Sequence, residues 1–349
     1  MVWAKGAGIS VMNVLNHWHP ALPSKKLGKK PQSVKICGHE MVLFRDSSGK
    51  VASLDDMCAH RRMRLSKGKV IGDQIQCPYH GWTFKSCGAG ESPGTPKLHA
   101  CAPSFETAES QGLVWVRNRG AQSRFPEMPS EPWFLLGTLD HTAPAPLDTT
   151  MDNFCEIEHT GTTHAIFGYQ LDRMHEVDVK FEWTDDSVTV RNHGPGKPLP
   201  WWANQLLMVR KNMLFFDHWT TYFSPCYSIY DHWFEDPATG KQAWVAWKLY
   251  IFFTPVDEDN TRVTTLIYGK SDWWFLGKDG GLLTFKSLLN SRISHEIDLD
   301  VAILGHLADK RPNVDGMKLS RFDRVLGLNR ERVARVYYGK PELSTLRSA

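Results

Sequence analysis

Two cysteines and two histidines with the spacing of metal ligands lie in the first third of the chain. Cys58 and His60 are one residue apart, and Cys77 and His80 follow after a gap of sixteen residues. A single tetrahedral zinc ion can accept two thiolates and two imidazoles. A zinc finger, however, usually takes its cysteines from one element and its histidines from another, whereas each loop here would supply one of each. This alternation favours a two-iron cluster with both cysteines on one iron and both histidines on the other.

A second group of chemically active residues lies in the segment DNFCEIEHTGTTH. Asp152, Glu156 and His159 are spaced i, i+4 and i+7 and would share one face of a helix. His164 would lie about 140° around a regular helix from His159. Both imidazoles can therefore reach one metal ion only if the helix ends or bulges between them, which Gly161 permits.

The hydrophobic pattern predicts the elements that position these residues. Short β-like runs cut by turn residues over 34–116 predict a small all-β domain, and a stretch rich in Pro, Ser and Gly at 119–133 predicts a linker. A helical segment around 150–167 is followed by strand-like runs, which predict a large antiparallel sheet. Apolar residues at intervals of three or four over 281–310 predict a long helix across that sheet.

Length and composition limit the class of protein. A chain of 349 residues exceeds one hydrophobic core, so we expect two domains, residues 1–125 and 126–349. A net charge of +3 favours neither nucleic acid nor lipid surfaces as partners. The sequence has no apolar run of the roughly eighteen residues that a membrane helix needs, and it begins without a secretory signal, so a cytoplasmic location is expected. Seven widely spread cysteines fit reduced thiols and metal ligands better than disulfides.

Both motifs resemble those of one family. The Cys-x-His-Arg run at Cys58 and the later CPYHGW resemble the Rieske [2Fe–2S] signature. The second segment resembles the acid-Asn-x-x-acid-x-x-His-x4-His motif of Rieske non-heme iron oxygenases, with Asn153 in the place of the family's asparagine. One departure is Arg62, where the family usually has a glycine. If that position needs a positive φ, the loop has to adjust.

The resemblance implies two cofactors and their ligands. A Rieske [2Fe–2S] cluster would be bound by Cys58, His60, Cys77 and His80. A mononuclear Fe(II) would be bound by His159, His164 and a later carboxylate. Asp300 is the choice for that carboxylate, because DVAIL is similar to the family's Asp-x-x-Ile-Leu pattern, and Asp298 is the alternative.

The resemblance also assigns catalytic residues. Glu156 stands where the family most often has an aspartate, whose carboxylate links a cluster histidine of one subunit to an iron-ligating histidine of its neighbour. Asp152 and Asn153 are the other residues that the motif implies to be catalytic.

The fold implied is α+β, an all-β Rieske domain followed by a helix-grip (START-like) catalytic domain with a curved antiparallel sheet and a long C-terminal helix. The activity implied is that of a terminal oxygenase, and the compact chain favours monooxygenation, by hydroxylation or demethylation. A cis-dihydroxylating dioxygenase is the alternative within the enzymes. A Rieske electron-transfer or ligand-binding protein is the alternative from another class.

The expected partners are a small organic, possibly aromatic substrate, O2 and further copies of the chain in a homotrimer, without nucleic acid or membrane. An external ferredoxin or reductase must carry NAD(P)H and flavin, because no Gly-x-Gly-x-x-Gly motif follows a predicted strand. Aromatic and methionine side chains between the two halves of the iron site are the candidates for pocket walls. They are Phe167, Tyr169, Trp202, Met208 and Phe216.

Overall fold

The computed structural model describes residues 11–340, apart from Lys211 and Gly277. The chain forms two compact units. The first contains the residues up to Pro126 together with Pro255–Glu258, and the second contains Glu127–Thr254 and the residues from Asp259 onward. No helix in the described part of the chain is long and apolar enough to cross a membrane.

The first unit is built from two antiparallel sheets. Its elements are the short helix α1 (Val11–Val14) and the strands β1 (His19–Pro23), β2 (Gln32–Ile36), β3 (His39–Arg45), β4 (Val51–Asp55), β5 (Lys69–Ile71), β6 (Gln74–Gln76), β7 (Thr83–Lys85), β8 (Ala89–Glu91), β9 (Ala100–Cys101), β10 (Ser104–Ser110) and β11 (Leu113–Asn118). One sheet has the order β1-β11-β10-β4-β3-β2 and the other has β5-β6-β7-β8-β9. The prediction of an all-β first domain is confirmed.

The two cysteine-histidine loops are attached to the apolar core of this unit. Cys58 and Cys77 belong to a buried cluster that includes Phe44, Ile75 and Phe84. One loop follows β4 and the other joins β6 to β7, so each cysteine lies where a core strand ends. Packing of the strands therefore sets the distance between the two loops.

The first loop contains a residue with left-handed backbone geometry. The Arg62 N–H donates to the Cys58 carbonyl over 2.9 Å, and the Cys58 N–H donates to the Met63 carbonyl over 2.8 Å. This turn gives Arg62 a φ of +57°. The loop has thus kept the conformation that favours glycine, and Arg62 adopts it at a steric cost.

The second loop repeats the same turn with glycine. The Gly81 N–H donates to the Cys77 carbonyl over 3.2 Å, and the Cys77 N–H donates to the Trp82 carbonyl over 2.7 Å. Gly81 has a φ of +71°. The two loops therefore present their cysteine and histidine side chains from equivalent turns.

The second unit is a seven-stranded antiparallel sheet with helices. Its strands are β12 (Phe134–Ala143), β13 (Asp178–Trp183), β14 (Ser187–Gly194), β15 (Leu214–Phe223), β16 (Cys226–Glu235), β17 (Val245–Pro255) and β18 (Thr261–Ser271). They are ordered β12-β18-β17-β16-β15-β14-β13. Its helices are α2 (Leu147–Phe154), α3 (Trp201–Leu207), α4 (Leu282–His306) and α5 (Arg324–Arg332), the last continued by a π-helical turn at Val333–Tyr337.

Helix α4 packs against β12 and β18, which confirms the predicted long helix on an antiparallel sheet. Apart from Leu282 at its start, its buried residues lie on one face and are Ile293, Glu296, Ile297, Asp300 and Leu304. Two carboxylates therefore lie on the apolar face of this helix. A buried carboxylate needs a partner, so this face is where the chemistry of the unit is concentrated.

The prediction of a helix over 150–167 is wrong in its extent. Helix α2 ends at Phe154, and the chain continues through a 3-10 turn at Glu158–Gly161 into irregular structure. Glu156 and His159 consequently do not share a regular helix face with Asp152.

The left-handed turn at Arg62 makes a prediction about stability. Replacing Arg62 with glycine removes the Cβ clash of a positive φ, so Arg62→Gly should stabilise the first unit by about 1 kcal/mol. The gain should appear as a rise of a few degrees in the temperature at which the visible absorbance of the cluster is lost. Arg61→Gly is the matched control, because Arg61 is not among the described residues with positive φ. An equal change in this temperature for both variants would contradict the inference that the backbone at Arg62 is strained.

Candidate functional site

The four candidate cluster ligands converge at the surface of the first unit. Cys58 and Cys77 are buried, whereas His60 and His80 are exposed. The two imidazole rings lie 4.6 Å apart, and the His60 ring stacks on Trp82 at 4.9 Å. The arrangement gives an inner pair of sulfur ligands and an outer pair of nitrogen ligands.

The surroundings of Cys58 fit a thiolate bound to a positive centre. Burial raises the pKa of Cys58, and the adjacent Cys77 thiol raises it further, while the backbone N–H groups of His60 and Arg61 point at the Cys58 sulfur and lower it. A metal centre that binds Cys58 must overcome this raised pKa, and the backbone donors then stabilise the charge on its sulfur. The donor set fits a Rieske [2Fe–2S] cluster.

The second candidate site brings three separate segments of chain together. His159 lies in the 3-10 turn after α2, His164 lies in the irregular stretch beyond it, and Asp300 lies on the buried face of α4. One ligand atom from each of the three lies within 4.8 Å of the others. The expected break between the histidines is present, because the 3-10 turn ends at Gly161.

Asp300 is the point on which the two imidazoles converge. Its Oδ1 lies 3.2 Å from His159 Nε2 and 3.0 Å from His164 Nε2. The Nε2 atoms of both histidines thus face the same carboxylate. Two imidazoles and one carboxylate on one side of a centre are the facial arrangement of non-heme iron sites, so the residues fit a mononuclear iron.

Neighbouring side chains contact the two imidazoles and the Asp300 carboxylate. Glu156 accepts a hydrogen bond at His159 Nδ1, the atom that faces away from Asp300. Glu296 Oε2 lies 3.7 Å from His164 Nδ1, and the Asn153 amide donates to Asp300 Oδ1 over 3.2 Å. Such contacts fix ring orientation and tautomer in metal sites.

The electrostatics of the group follow from these contacts. Burial alone would lower the pKa of His159, but Asp300 and Glu156 outweigh it and raise that pKa to about 10. Burial likewise opposes ionisation of Asp300, but the two imidazoles hold its pKa well below the usual range. A metal ion that takes the Nε2 lone pair must therefore displace a proton from His159.

Asp298, the alternative ligand, points away from this group. Its side chain is 62% exposed, and its carboxylate lies 3.5 Å from the Nε2 atom of His141. Residues two apart on a helix point about 200° apart, so only one of Asp298 and Asp300 can face the histidines. The structure brings Asp300 to them.

The sequence-based role of Asp152 requires correction. Asp152 pairs with Arg330 of α5, whose Nε lies 3.0 Å from Asp152 Oδ2. Burial raises the pKa of Asp152 to about 6, although Arg330 acts in the opposite direction. Its carboxylate is not among the groups that line the cavity at the histidines. Asp152 therefore joins α2 to α5 and thereby supports the segment that carries the histidines.

A cavity opens beside the three converging side chains. It contains about 660 Å3 of space, including its opening to solvent, and His159, His164 and Asp300 form part of its wall. Six of the other lining residues are aromatic, namely Phe154, Phe167, Phe215, Trp219, Tyr230 and Trp247. A second, apolar cavity shares Phe167, Trp247 and Ile293 with it. The candidate iron ligands therefore face a cavity with aromatic and aliphatic walls.

Of the four predicted pocket residues whose side chains the structure describes, only Phe167 lines this cavity. Tyr169 is completely buried and packs on Phe215, so it supports the wall from behind. Met208 follows α3 in a left-handed turn and is 38% exposed. Phe216 projects from the opposite face of β15, where it stacks on Trp233. The Trp202 side chain lies outside the described residues.

Sequence reasoning missed three polar residues of the cavity. Asp217 and His232 lie opposite each other on β15 and β16, and Glu296 lies one turn before Asp300 on α4. The i, i+4 spacing of Glu296 and Asp300 could have indicated Glu296. Asp217 is two residues from both Phe215 and Trp219, so the three side chains lie on the same face of β15. This alternation could have indicated that Asp217 faces the cavity.

Two family models match this chain. Residues 17–106 match the Rieske [2Fe-2S] domain, and residues 144–282 match the vanillate O-demethylase oxygenase C-terminal domain. The first match contains all four candidate cluster ligands, and the second contains His159 and His164. Asp300 lies beyond the second match.

Curated relatives include a plant and a bacterial oxygenase. Pheophorbide a oxygenase of Arabidopsis thaliana is 28% identical over 71% of this chain and 47% of its own length. Methylxanthine N1-demethylase NdmA of Pseudomonas putida is 35% identical over 29% of this chain and 31% of its own. The chain spans less than half the length of the curated relatives it matches.

Solved structures share the fold over nearly the whole chain. Dicamba monooxygenase bound to 3,6-dichlorosalicylic acid superposes with a TM-score of 0.78 at 18% identity, covering 93% of this chain and 97% of that one. Pseudomonas putida NdmA with caffeine superposes with a TM-score of 0.69 at 19% identity, covering 96% and 98%. With a Rieske domain, a C-terminal oxygenase domain and this fold, the chain belongs to the Rieske non-heme iron oxygenases.

Proposed function

We propose that this chain is a terminal oxygenase that monooxygenates a small organic substrate, by hydroxylation or by demethylation. The observation that carries the proposal is the convergence of His159, His164 and Asp300 in the wall of a cavity that aromatic and aliphatic side chains also line. In monooxygenation one atom of O2 enters the substrate and the other leaves as water, which consumes two electrons and two protons. In demethylation the hydroxylated methyl group is then lost as formaldehyde.

The residues that would hold the cofactors are those of the two converging groups. Cys58, His60, Cys77 and His80 would hold the Rieske cluster, and His159, His164 and Asp300 would hold the mononuclear iron. When bound, these centres supply single electrons and a site for O2 activation. The protein orients the ligands through Glu156, Glu296 and Asn153 and surrounds the substrate with apolar walls.

Glu156 is our candidate for the residue that links the two cofactors between subunits. Within its own chain it contacts His159 Nδ1, which provides one end of such a link. His60 and His80 are exposed and can meet a neighbouring copy of the chain. Electrons would then pass from the cluster histidine of one subunit to the Glu156–His159 pair of the next. The homotrimer that this route requires stays a prediction, as does a cytoplasmic location.

The relatives support the demethylase form of the reaction. The C-terminal family is named for a vanillate O-demethylase, and a methylxanthine N1-demethylase is among the relatives. Both names describe removal of a methyl group from a heteroatom. The converging triad also argues against a protein that only carries electrons, because such a protein needs no second iron site. A separate ferredoxin or reductase would supply the electrons.

The proposal is tested by the stoichiometry of turnover. The iron-loaded protein is combined with a ferredoxin and reductase pair, NADH and a panel of methyl ethers and methylamines under 18O2. We expect about one formaldehyde or one singly labelled alcohol per O2 and per NADH consumed. A cis-diol with both labelled atoms would identify a dioxygenase instead. Failure of every substrate to stimulate O2 uptake by a fully metal-loaded protein would contradict the oxygenase function.

The ligand assignment predicts a selective loss of iron. His159→Ala, His164→Ala and Asp300→Ala should each lose the mononuclear iron and keep the visible spectrum of the cluster, because the two groups of ligands lie in different units. Iron analysis beside the absorbance spectrum measures both. Asp298→Ala is the control and should keep all its iron, since its side chain points to solvent. Iron loss in Asp298→Ala with retention in Asp300→Ala would reverse the assignment.

The role of Glu156 predicts a fully loaded but slow enzyme. Glu156→Ala should retain both metal centres while substrate-coupled turnover falls by about 10–100-fold or more, because the link between centres is lost. Glu158→Ala is the control, since the Glu158 side chain is exposed and two residues away. Rapid-mixing spectra should show a reduced cluster that is reoxidised slowly in Glu156→Ala only. Wild-type reoxidation in that variant would rule out the link.

A further inference from the structure

The inner face of the sheet carries a buried acid that the iron site does not use. Strand β15 buries every second residue, and Asp217 lies between Phe215 and Trp219 on that face. Asp217 pairs across the sheet with His232, which pairs in turn with Trp247. All five side chains line the cavity beside the iron site. Asp217 is 7% exposed, so its charge is largely withdrawn from water.

Several buried polar atoms on this face of the sheet lack hydrogen-bond partners within the described part of the chain. Asp217 Oδ1, Trp219 Nε1 and His232 Nδ1 are buried and make no hydrogen bond to any described residue. His232 Nε2 comes within 3.1 Å of Asp217 Oδ1, yet this approach leaves the oxygen without a hydrogen bond. The His232 imidazole is therefore a nearby ion-pair partner without hydrogen-bond geometry, and a bound cationic group would stabilise the buried carboxylate further.

The charges of the cavity wall are predominantly negative. Glu156, Asp217, Glu296 and Asp300 supply four carboxylates, and none of the described lining residues is a lysine or arginine. Lys197 does not line the cavity, and its ammonium donates to the backbone carbonyl of His164.

Aromatic faces surround the acid. His232 stacks against Trp247 at 5.3 Å and against Phe215 at 5.7 Å, and Phe215 stacks against Trp247 at 6.2 Å. The π faces of such rings attract cations, most strongly where water is excluded. A carboxylate among aromatic rings is therefore suited to a positively charged organic group, and the same surroundings disfavour an organic anion.

We propose that the substrate is an organic cation, an amine or N-methylated ammonium, whose charged nitrogen is bound by Asp217 among these aromatic rings. The proposal rests on the proposed oxygenase function, since it names the class of molecule that the same cavity takes. It excludes aromatic carboxylates as the preferred substrates, because no lysine or arginine is among the described residues that line the cavity. Asp217 is then a specificity-determining residue.

The proposal is tested by binding, without turnover. Iron-loaded protein is titrated anaerobically, by calorimetry and by quenching of tryptophan fluorescence, with three ligands of similar size. They are N,N-dimethylbenzylamine, which is a cation at pH 7, the neutral benzyl methyl ether and the anion 4-methoxybenzoate. We expect the cation to bind at least about tenfold more tightly than either of the others, since a buried opposite charge selects it.

Variants identify the residue responsible. Asp217→Asn should weaken binding of the cation by about thirtyfold or more and leave the ether unaffected, because only the charge is removed. Asp217→Glu keeps the charge and should keep the preference for the cation. Asp231→Asn is the matched control, since Asp231 lies next to His232 on β16 and pairs with Lys248 instead. Cluster absorbance and iron content verify that each variant is folded.

The outcomes separate this inference from the proposed function. Equal or tighter binding of 4-methoxybenzoate, no measurable binding of the cation, or an unchanged affinity in a folded Asp217→Asn would overturn the cation site. None of these results affects the metal content or the oxygen stoichiometry of turnover, so the oxygenase function would stand. Conversely, a protein that takes up no mononuclear iron would contradict that function, while the charge preference of the cavity stays measurable.

Discussion

The carboxylate of Asp300 lies between the two imidazoles of His159 and His164, and the second unit is arranged so that these groups can meet. The histidines come from an irregular segment after α2, and the carboxylate comes from the apolar face of a helix that packs on the sheet. A regular helix would carry the two imidazoles about 140° apart, so the 3-10 turn between them is essential to the site. Burying three such groups together is favourable only when each is paired, and Glu156, Glu296 and Asn153 complete the pairing.

In the first unit, tight turns position the candidate ligands of the cluster. Each of its two loops returns to the cysteine through a residue with positive φ, and this places the cysteine inside and the histidine outside. Buried sulfur ligands and exposed nitrogen ligands make the histidine side of a cluster the side that a redox partner can approach. Arg62 occupies one of these turns at a steric cost. The hydrogen bonds of the loop to Cys58 therefore set the backbone geometry of the turn, and the conformational preference of arginine does not.

Residue spacing and the family resemblance together indicated the two groups of candidate ligands, and periodicity was sufficient to predict helix α4 and the all-β first unit. The end of α2 at Phe154 was not predictable in the same way, because no glycine or proline marks it and tertiary contacts decide where the helix stops. The walls of the cavity were predicted poorly for a different reason. Aromatic residues occupy both faces of β15, so the sequence alone did not indicate that Phe215 and Asp217 point inward and Phe216 outward. The DVAIL pattern favoured Asp300 over Asp298, and the buried face of α4 carries Asp300 to the histidines.

The proposed activity requires two separate iron sites in one chain. The most direct measurement is the iron and acid-labile sulfide content per chain of anaerobically purified protein, with the electron paramagnetic resonance spectrum of its reduced form. We predict about three irons and two sulfides with a Rieske-type signal. About two irons and two sulfides that do not change after addition of ferrous iron would contradict the account, because the group formed by His159, His164 and Asp300 would then hold no metal.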